Sequence, residues 1–565
     1  GFAVLGLFAV AVVLHARTLG AQTRARVRRD VHSRHVLRST GGFTRLPFDG
    51  SDLLPRDHPY ARDIDLIGHA SLFQRIDVTH TREGERLLAS WLGRAAEREV
   101  ILSRQAAVRE LAARLDFRED LEAAAGELTS HKLDASNLDA LLRLPATFEE
   151  KPWLRAVVIV LPAITVALAL GSSFGLVPNG LWLLPSVFQM LLLMSLAQPV
   201  RRAIDLVAAK LPVFEGFEQL LLLVERSKFD SPHLGALAQR IAIGHTPPSS
   251  HLKRIARWAG FAELRQNPLF HVIANAFVLW DLHVLWGIER FVAEVGKHSS
   301  DWFSTIGELE ALSSLATLAY ADVDATFPEL ADPGGAFSAT AIGHPLLLPH
   351  TRIANDVTLR GPGTALVITG SNMAGKSTLL RAVGQNLALS LCGGPVIAAQ
   401  LRAPLVRLRA SMRAEDSLES GASYFHAELS KLKTVVAGAE QDPPVFFLLD
   451  ELLRGTNARA RHVGGKAVLM HLIERRGTGL VATHDVELAA LATQFPERID
   501  NVHFTDVVEH GEMKFDYKLR PGIVRTSNAL RLLALAGIDV PEQDRDAVTT
   551  PSVRPAATTE RKEAR

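Results

Sequence analysis

The stretch ALVITGSNMAGKST, residues 365–378, decides how the second half of this chain folds. It is a short apolar run, then a loop that fits the pattern GxxxxGK[ST], then a sequence with helical spacing of its apolar residues. In that context the glycines let backbone N–H groups surround a phosphate, Lys376 supplies a cation for it, and the Ser377 hydroxyl can bind Mg²⁺. The stretch therefore predicts a strand, a phosphate-binding loop and a helix, with an ordinary glycine turn as the alternative.

Two more short apolar runs follow, PVFFLLD at 444–450 and GTGLVATH at 477–484, and helical patterns alternate with them. Strands that alternate with helices predict a mostly parallel sheet that binds its ligand at the carboxyl ends of the strands. The loop residues that we expect to bind the phosphates are Gly370, Ser371, Asn372, Met373, Ala374, Gly375, Lys376, Ser377 and Thr378.

Acidic and histidine side chains end the two later runs. Asp450 can bind Mg²⁺, and Glu451 can orient or deprotonate a water molecule, a second metal-bound acid being the alternative. His484 can contact a terminal phosphate or the same water, although a lone histidine is weak evidence. The sequence SGASYF at 420–425 precedes a helical run, so its N–H groups and hydroxyls form a candidate anion site, or simply a helix start.

Together these segments resemble the MutS ATPases of DNA mismatch repair, over about residues 340–540. Each segment is similar to one family motif: GSNMAGKST to its Walker A, LESGASYFHAEL to its signature loop, LLDELLRGTNARA to its Walker B, VATHDVELAAL to its histidine strand, and 501–538 to its closing segment and dimer clasp. The LSGGQ-type signature of ABC transporter ATPases does not occur in the sequence.

The resemblance implies an α/β P-loop ATPase domain with a mostly parallel sheet, ATP and Mg²⁺ as cofactors, and a homodimer. Its implied catalytic residues are Lys376, Glu451 and His484, and its implied metal ligands are Ser377 and Asp450. Ser420, Gly421 and Ser423 would form the signature that acts on the ATP of the other subunit. Arg352 and Ile353 would contact the base, with Arg352 replacing the family's aromatic residue and stacking by a cation–π contact.

A second feature is apolar. No charged residue occurs between Arg155 and Arg201, and the runs 156–174 and 180–198 are each about one bilayer thick as helices, with a turn between them. Basic flanks predict a membrane hairpin with both ends cytoplasmic, a buried hairpin of a soluble protein being the alternative. Residues 1–14 are also uncharged and precede an arginine-rich stretch, which favours the end of a spanning helix over a signal peptide.

The 565 residues carry 62 Lys+Arg against 61 Asp+Glu, so no overall basic excess indicates nucleic-acid binding. The single cysteine, Cys392, excludes a disulfide framework within the chain. We predict seven segments: a partial membrane segment at 1–16, a basic linker at 17–63, helical core parts similar to the MutS core and lever at 64–154 and 201–335, the membrane hairpin at 155–200, the ATPase domain with its dimer clasp at 336–540, and a disordered tail at 541–565.

These expectations combine into a membrane-anchored, multi-pass MutS-like ATPase whose ATPase domain is cytoplasmic. Residues 1–63 contain no Phe-x-Glu wedge, so the resemblance implies a variant that lacks the mismatch-recognition domain. DNA is the expected partner of a protein related to mismatch repair, and its binding would depend on basic stretches such as residues 17–38. The alternative is an ATP-gated membrane scaffold or sensor with no nucleic-acid role. A transporter is the weakest interpretation, because no charge within the hairpin marks a substrate path.

Overall fold

A computed structural model describes residues 2–126, 146–242, 246–263, 268–296, 298–332, 334–371, 373–412, 424–509 and 512–523. The chain forms two compact units. The first, here called the helical unit, comprises Gly1–Leu53, Phe73–Trp91 and Glu99–Ala321. The second, the sheet unit, comprises Leu54–Leu72, Leu92–Arg98 and Asp322–Arg565.

The strands of the sheet unit are short. They are β1 Ala325–Thr326, β2 Glu329–Leu330, β3 Phe337–Ile342, β4 Asn355–Leu359, β5 Ala365–Thr369, β6 Val396–Ile397, β7 Gln400–Ala403, β8 Arg407–Ser411, β9 Val445–Asp450, β10 Thr478–Ala482, β11 Ile499–Glu509 and β12 Glu512–Pro521.

A six-stranded sheet carries the site. Its order is β12-β11-β5-β10-β9-β8, and every neighbouring pair is parallel except β11 with β12. The predicted strands at 365–369, 444–450 and 477–484 are its central members β5, β9 and β10. A four-stranded sheet, β2-β7-β3-β4, and the pair β1-β6 complete the described strands of this unit.

Nineteen α-helices are described in the whole chain. They are α1 Phe2–Ser39, α2 Leu72–Ile76, α3 Arg82–Leu92, α4 Arg98–Ala113, α5 Leu115–Gly126, α6 Thr147–Glu150, α7 Trp153–Ser173, α8 Leu183–Ser195, α9 Ala197–Arg226, α10 Pro232–Arg240, α11 Pro248–Glu263, α12 Pro268–Val278, α13 Trp280–Val295, α14 Ser299–Ala321, α15 Lys376–Cys392, α16 Tyr424–Gly438, α17 Ala458–Glu474, α18 Val486–Ala489 and α19 Leu491–Gln494.

Helices cover both faces of the six-stranded sheet. Phe447 and Leu449 of β9 belong to a buried cluster with apolar residues of α16 and α17. Leu448 points to the opposite face, toward α15, where a Cβ added to Gly384 would lie 2.7 Å from its side chain. A strand that is buried on both faces has apolar residues at successive positions. For this reason PVFFLLD shows no alternation of apolar and polar residues. The predicted α/β P-loop architecture with accompanying helices is therefore confirmed.

The boundaries of the sheet unit differ from the prediction. It begins at Asp322, not at 336, and it also contains Leu54–Leu72, which was divided between a linker and the helical core. Within it, Gln385 of α15 donates a hydrogen bond to the Ile64 carbonyl at 2.8 Å, and the side chain of Tyr60 is buried. Contacts between residues far apart in the sequence place this segment in the sheet unit. No pattern in the local sequence predicts those contacts.

The N-terminal region also differs from the prediction. A partial membrane segment at 1–16 and a separate linker at 17–63 were expected, but α1 is one helix that continues to Ser39. Residues 21–39 contain neither glycine nor proline, and arginine has a high helix propensity, so the basic stretch prolongs the apolar helix. Gly41, with φ 82°, adopts the left-handed conformation that ends the helix.

The apolar helices of the helical unit only partly follow the predicted hairpin. By length and composition one described helix, α7, could cross a membrane, or three segments could if each of two bent helix pairs counts as one span. The predicted span 180–198 is α8, followed by a 71° bend into α9. Pro199 explains the bend, because its ring clashes with the carbonyl of Ser195 four residues earlier and it donates no hydrogen bond. The second bent pair is α12 with α13, at 76°.

Candidate functional site

The phosphate-loop motif connects β5 to α15 at the carboxyl edge of the parallel strands. Gly375 has φ 104°, a left-handed conformation that disfavours residues with a side chain, and it precedes Lys376, the first residue of α15. The Lys376 ammonium donates hydrogen bonds to the carbonyls of Gly370 at 2.7 Å and Ser371 at 2.8 Å, so it lies inside the loop. Burial lowers the pKa of Lys376, while the nearby carboxylates of Glu451 and Asp450 oppose that shift.

Asp450, the last residue of β9, lies beside the start of α15. The Ser377 hydroxyl donates a hydrogen bond to Asp450 Oδ2 at 2.5 Å. Burial raises the pKa of Asp450, and the hydrogen bond from Ser377 opposes the shift. The buried atoms Asp450 Oδ1 and Ser371 Oγ have no hydrogen-bond partner among the described residues. A hydroxyl, a carboxylate and an unpaired oxygen are ligands that Mg²⁺ prefers, so these residues fit that ion.

Glu451 follows directly and is held in an unusual conformation. Its φ is 53°, and its N–H donates to the Ala482 carbonyl of β10 at 2.9 Å. A glutamate in the left-handed region is strained, and such strain clusters at functional sites. His484 Nδ1 lies 3.1 Å from Glu451 Oε1, and Arg454 forms an ion pair with the same carboxylate. Burial lowers the pKa of His484, while the Glu451 charge opposes that change.

A cavity of about 470 Å³ joins these groups. The residues that line it include Ser371, Met373, Lys376, Ser377, Thr378 and Glu451 from the predicted set. Ile353 also lines it, on the segment predicted to meet a base. His484 contacts the cavity only through Glu451, since its own side chain is not among the lining groups.

Arg352 does not occupy the predicted stacking position. Its guanidinium is buried and donates to Asp322 Oδ2 at 2.5 Å and to Asp324 Oδ2 at 2.8 Å. A guanidinium held by two carboxylates and by the Leu347 carbonyl is not available to a purine face. The cation–π assignment is therefore wrong for the described conformation. Arg352 instead joins the start of the sheet unit to the segment before β4.

Several predicted residues lie outside the described part of the chain. They are Asn372, the signature residues Ser420, Gly421 and Ser423, the clasp beyond residue 523, and the tail at 541–565. Their roles stay predictions.

Two features of the site have no signal in the sequence. Tyr517 of β12 lines the cavity, and its ring lies 3.1 Å from the position of a Cβ added to Gly375. Asp63 is buried and accepts hydrogen bonds from the Met412 N–H at 2.9 Å and from Lys431 Nζ at 3.0 Å. Met412 precedes residues 413–423, and Lys431 belongs to α16, which follows them. Neither residue stands in a recognisable motif, so only the tertiary structure reveals them.

A phosphate loop follows the central strand β5 of a mostly parallel sheet, and an acid pair lies at the end of β9, with β10 between the two strands. This arrangement defines the sheet unit as a P-loop nucleotide-binding domain. Residues 366–546 match the family described as MutS domain V. Over this part the chain is similar to MutS-family proteins, which supports the resemblance seen in its motifs.

Curated relatives agree with this assignment. The chain is 31% identical over 264 residues to the DNA mismatch repair protein MutS 2 of Halobacterium salinarum, over 46% of this chain and 30% of that protein. It is 32% identical over 273 residues to the endonuclease MutS2 of an Anaeromyxobacter species, over 46% of this chain and 33% of that protein. The match thus spans about a third of the length of these relatives.

Proposed function

We propose that this chain is a membrane-anchored MutS-family ATPase that hydrolyses Mg²⁺-ATP at sites completed by a second copy of the chain. The observation that carries the proposal is the placement of Lys376, Ser377 and Glu451 around one cavity, with Asp450 hydrogen-bonded to Ser377. Lys376 would bind the β- and γ-phosphate oxygens, and Ser377 with Asp450 would hold Mg²⁺. Bound Mg²⁺ would neutralise charge on the phosphate oxygens and fix their orientation.

Glu451 would act on the water. Its carboxylate lines the cavity and would accept a proton from the attacking water, while His484 and Arg454 hold it in position.

The test is ATP hydrolysis by the full chain in lipid nanodiscs. Glu451→Gln should lower kcat by about 10²–10⁴-fold while ATP still binds. Glu440→Gln is the matched control, because Glu440 pairs with Arg475 at the surface. Wild-type turnover by Glu451→Gln would contradict the general-base role.

The composite nature of the sites can be tested by mixing two inactive variants. Lys376→Ala removes the phosphate-binding cation, and Ser423→Ala removes the hydroxyl that the family resemblance assigns to the opposite site. In a mixed dimer one site would combine an intact Lys376 with an intact Ser423 of the partner subunit. Partial recovery of hydrolysis on mixing supports the composite site, whereas two variants that stay inactive together contradict it.

DNA is the proposed ligand because the relatives are named for DNA mismatch repair. The alternative is an ATP-driven membrane switch with no nucleic-acid role, which one observation favours. Arginines of α1 already have acidic neighbours in the helical unit, including the Arg28–Asp120 pair at 2.6 Å. Salt-sensitive stimulation of hydrolysis by duplex, mismatched or branched DNA would support DNA as ligand. Stimulation by lipid alone would support the switch.

The membrane anchor is proposed from α7 and α8, which carry the uncharged sequence between Arg155 and Arg201. Their outward surfaces are apolar, with Ile159, Leu184 and Leu191 among the exposed residues. We expect the full chain to stay in the membrane fraction after carbonate extraction. Release by carbonate would contradict the anchor and leave the ATPase proposal intact.

A further inference from the structure

The helix α12, Pro268–Val278, exposes large apolar side chains, while the residues it buries are Ala274 and the polar Asn275. Leu269, Val272 and Ile273 are exposed, and Ile273 keeps 51% of its surface accessible. These positions follow the spacing i, i+3, i+4 and therefore share one face of the helix. Asn275 is buried on another face. A helix of a soluble domain shows the reverse arrangement, because water drives its apolar face inward.

The predicted membrane hairpin shows the same inverted arrangement. Thr165 of α7 and Gln189 of α8 are both fully buried, and the Gln189 amide donates to the Thr165 hydroxyl at 2.6 Å. Val160 and Phe188 of the same helices are more than half exposed. The Gln189 side-chain oxygen has no hydrogen-bond partner among the described residues. A polar contact inside, beneath an apolar exterior, suits a surrounding medium that offers no hydrogen bonds.

α12 packs against both hairpin helices. The clearest contact is between Trp182, at the start of α8, and Phe277, whose rings stack with centroids 5.3 Å apart. The apolar exterior of α12 is thus continuous with that of the hairpin, although about 70 residues of sequence separate α12 from α8.

The chain changes direction sharply at the end of α12. Leu279 has φ 49°, and the 76° bend there leads into α13. The Asp281 N–H donates to Asn275 Oδ1 at 2.9 Å, and His271 Nε2 lies 3.0 Å from an Asp281 carboxylate oxygen. These contacts supply partners for backbone and side-chain groups at the break, which an apolar medium would otherwise leave unsatisfied.

We propose that α12 is a re-entrant membrane element that enters one leaflet beside the hairpin, with its outer face against lipid acyl chains. Its 11 residues give a length of about 16 Å, roughly half of the 30 Å hydrocarbon core. On its own α12 is too short to cross the bilayer, and in this proposal the chain leaves on the side it entered, after the 76° bend into α13. The inference rests on the proposed membrane anchor. It extends that anchor to α12, whose length is ordinary for a helix of a soluble protein.

The test uses single-cysteine variants of the full chain in phosphatidylcholine–phosphatidylglycerol vesicles. Cys392, the one native cysteine, is buried and is first replaced by serine. An environment-sensitive fluorophore is then attached at Ile273→Cys on α12, at Val160→Cys on the hairpin, or at Gln239→Cys on α10. Gln239 is the control, since it is exposed on a helix of the same unit with no apolar exterior.

The probe at 273 should emit at shorter wavelength than the probe at 239 and should be quenched several-fold less by aqueous iodide. Lipids spin-labelled at shallow acyl positions should quench it more than lipids labelled near the bilayer centre. Probes at Leu269→Cys and Val278→Cys should be quenched from the same leaflet.

Each other outcome has a distinct meaning. Iodide access at 273, with lipid quenching at 160, would overturn the re-entrant helix and leave the anchor intact. Iodide access at both positions would remove the anchor as well. Protection of 273 from both iodide and spin-labelled lipid would overturn the proposal in favour of a protein contact. Opposite leaflets for 269 and 278 would overturn the re-entrant geometry.

Discussion

The central sheet of the sheet unit and the apolar helices α7 and α8 differ in how far they expose large apolar side chains. In β9 of the sheet unit, Phe447 has no accessible surface, whereas Phe188 on α8 keeps 55%. On α7 and α8 the fully buried residues include Thr165 and Gln189. Both regions are rich in the same apolar residue types. Composition thus identifies an apolar segment in both regions, and the burial pattern distinguishes them.

The proposed membrane location of α7 and α8 would account for this contrast. In water, apolar area is driven inward at roughly 25 cal/mol per Å², so a central strand loses all of its exposure. In lipid that driving force between helices is absent, and internal hydrogen bonds with close packing hold helices together. Substitutions at matched positions of the two regions should therefore have opposite consequences.

The largest expected effect is the difference in stability between substitutions of two phenylalanines. Phe447→Ala leaves a cavity in the core of the six-stranded sheet and should destabilise the sheet unit by about 3–5 kcal/mol. Phe188→Ala removes a ring from the outer face of α8 and should leave the sheet unit unchanged. Amide hydrogen exchange of β9 in the full chain measures both. Equal protection of β9 in the two variants would contradict the contrast.

A charge on the outer surface tests the solvent of the helices. Val160→Asp places a carboxylate on the exposed face of α7 and should cost about 2.5–3.5 kcal/mol of membrane insertion. Gln239→Asp, on an exposed position of α10, is the control and should have no effect. The measurement is the fraction of chain that resists carbonate extraction. If both variants insert like the wild type, water surrounds α7.

A substitution of Asp63 tests whether the Leu54–Leu72 segment stabilises the sheet unit. Asp63→Asn removes the charge that pairs with Lys431 and should cost about 1.5–3 kcal/mol, since hydrogen bonds to charged groups are the stronger ones. Exchange protection should fall in α16 and at Met412. Asp57→Asn, on an exposed part of the same segment, is the matched control. Unchanged protection of α16 would show that the pair holds nothing in place.

The smallest effect concerns the inner hydrogen bond of the hairpin. Thr165→Val keeps the shape of the side chain and removes its acceptor for Gln189. We expect a loss of about 0.6 kcal/mol, typical of interhelical hydrogen bonds in membranes. Unfolding by SDS in mixed micelles can resolve it against Val166→Ala, an exposed position one residue away. A loss above that of Val166→Ala supports the inward polar contact, and no loss contradicts it.

The nucleotide-binding part of the fold could be predicted because its signals are local. The strand, loop and helix of residues 365–378 are contiguous, and β9 and β10 are short apolar runs that each end in a polar residue. The structure places these strands in the order β5-β10-β9, and Ser377 meets Asp450 because the carboxyl ends of parallel strands lie at one edge. The remaining strands of this sheet, β8, β11 and β12, were not predicted.

The predictions that the structure changes concern mainly residues whose contacts lie far away in the sequence. Arg352 was assigned to a purine, but Asp322 and Asp324 bind its guanidinium. The linker at 17–63 was expected to be separate, yet part of it continues α1 and part joins the sheet unit. The single span at 180–198 is interrupted because one proline outweighs a long apolar run.

The sequence by itself determined the class of the domain, the identity of the phosphate-binding and acidic residues, and the presence of an uncharged apolar region. Each of these depends on residues adjacent in the chain, whose spacing fixes the local backbone. The tertiary structure decided the partner of Arg352, the place of Asp63, and the inverted burial of α12 beside the hairpin. Those depend on which surfaces meet, because a side chain's environment is set by its neighbours in space.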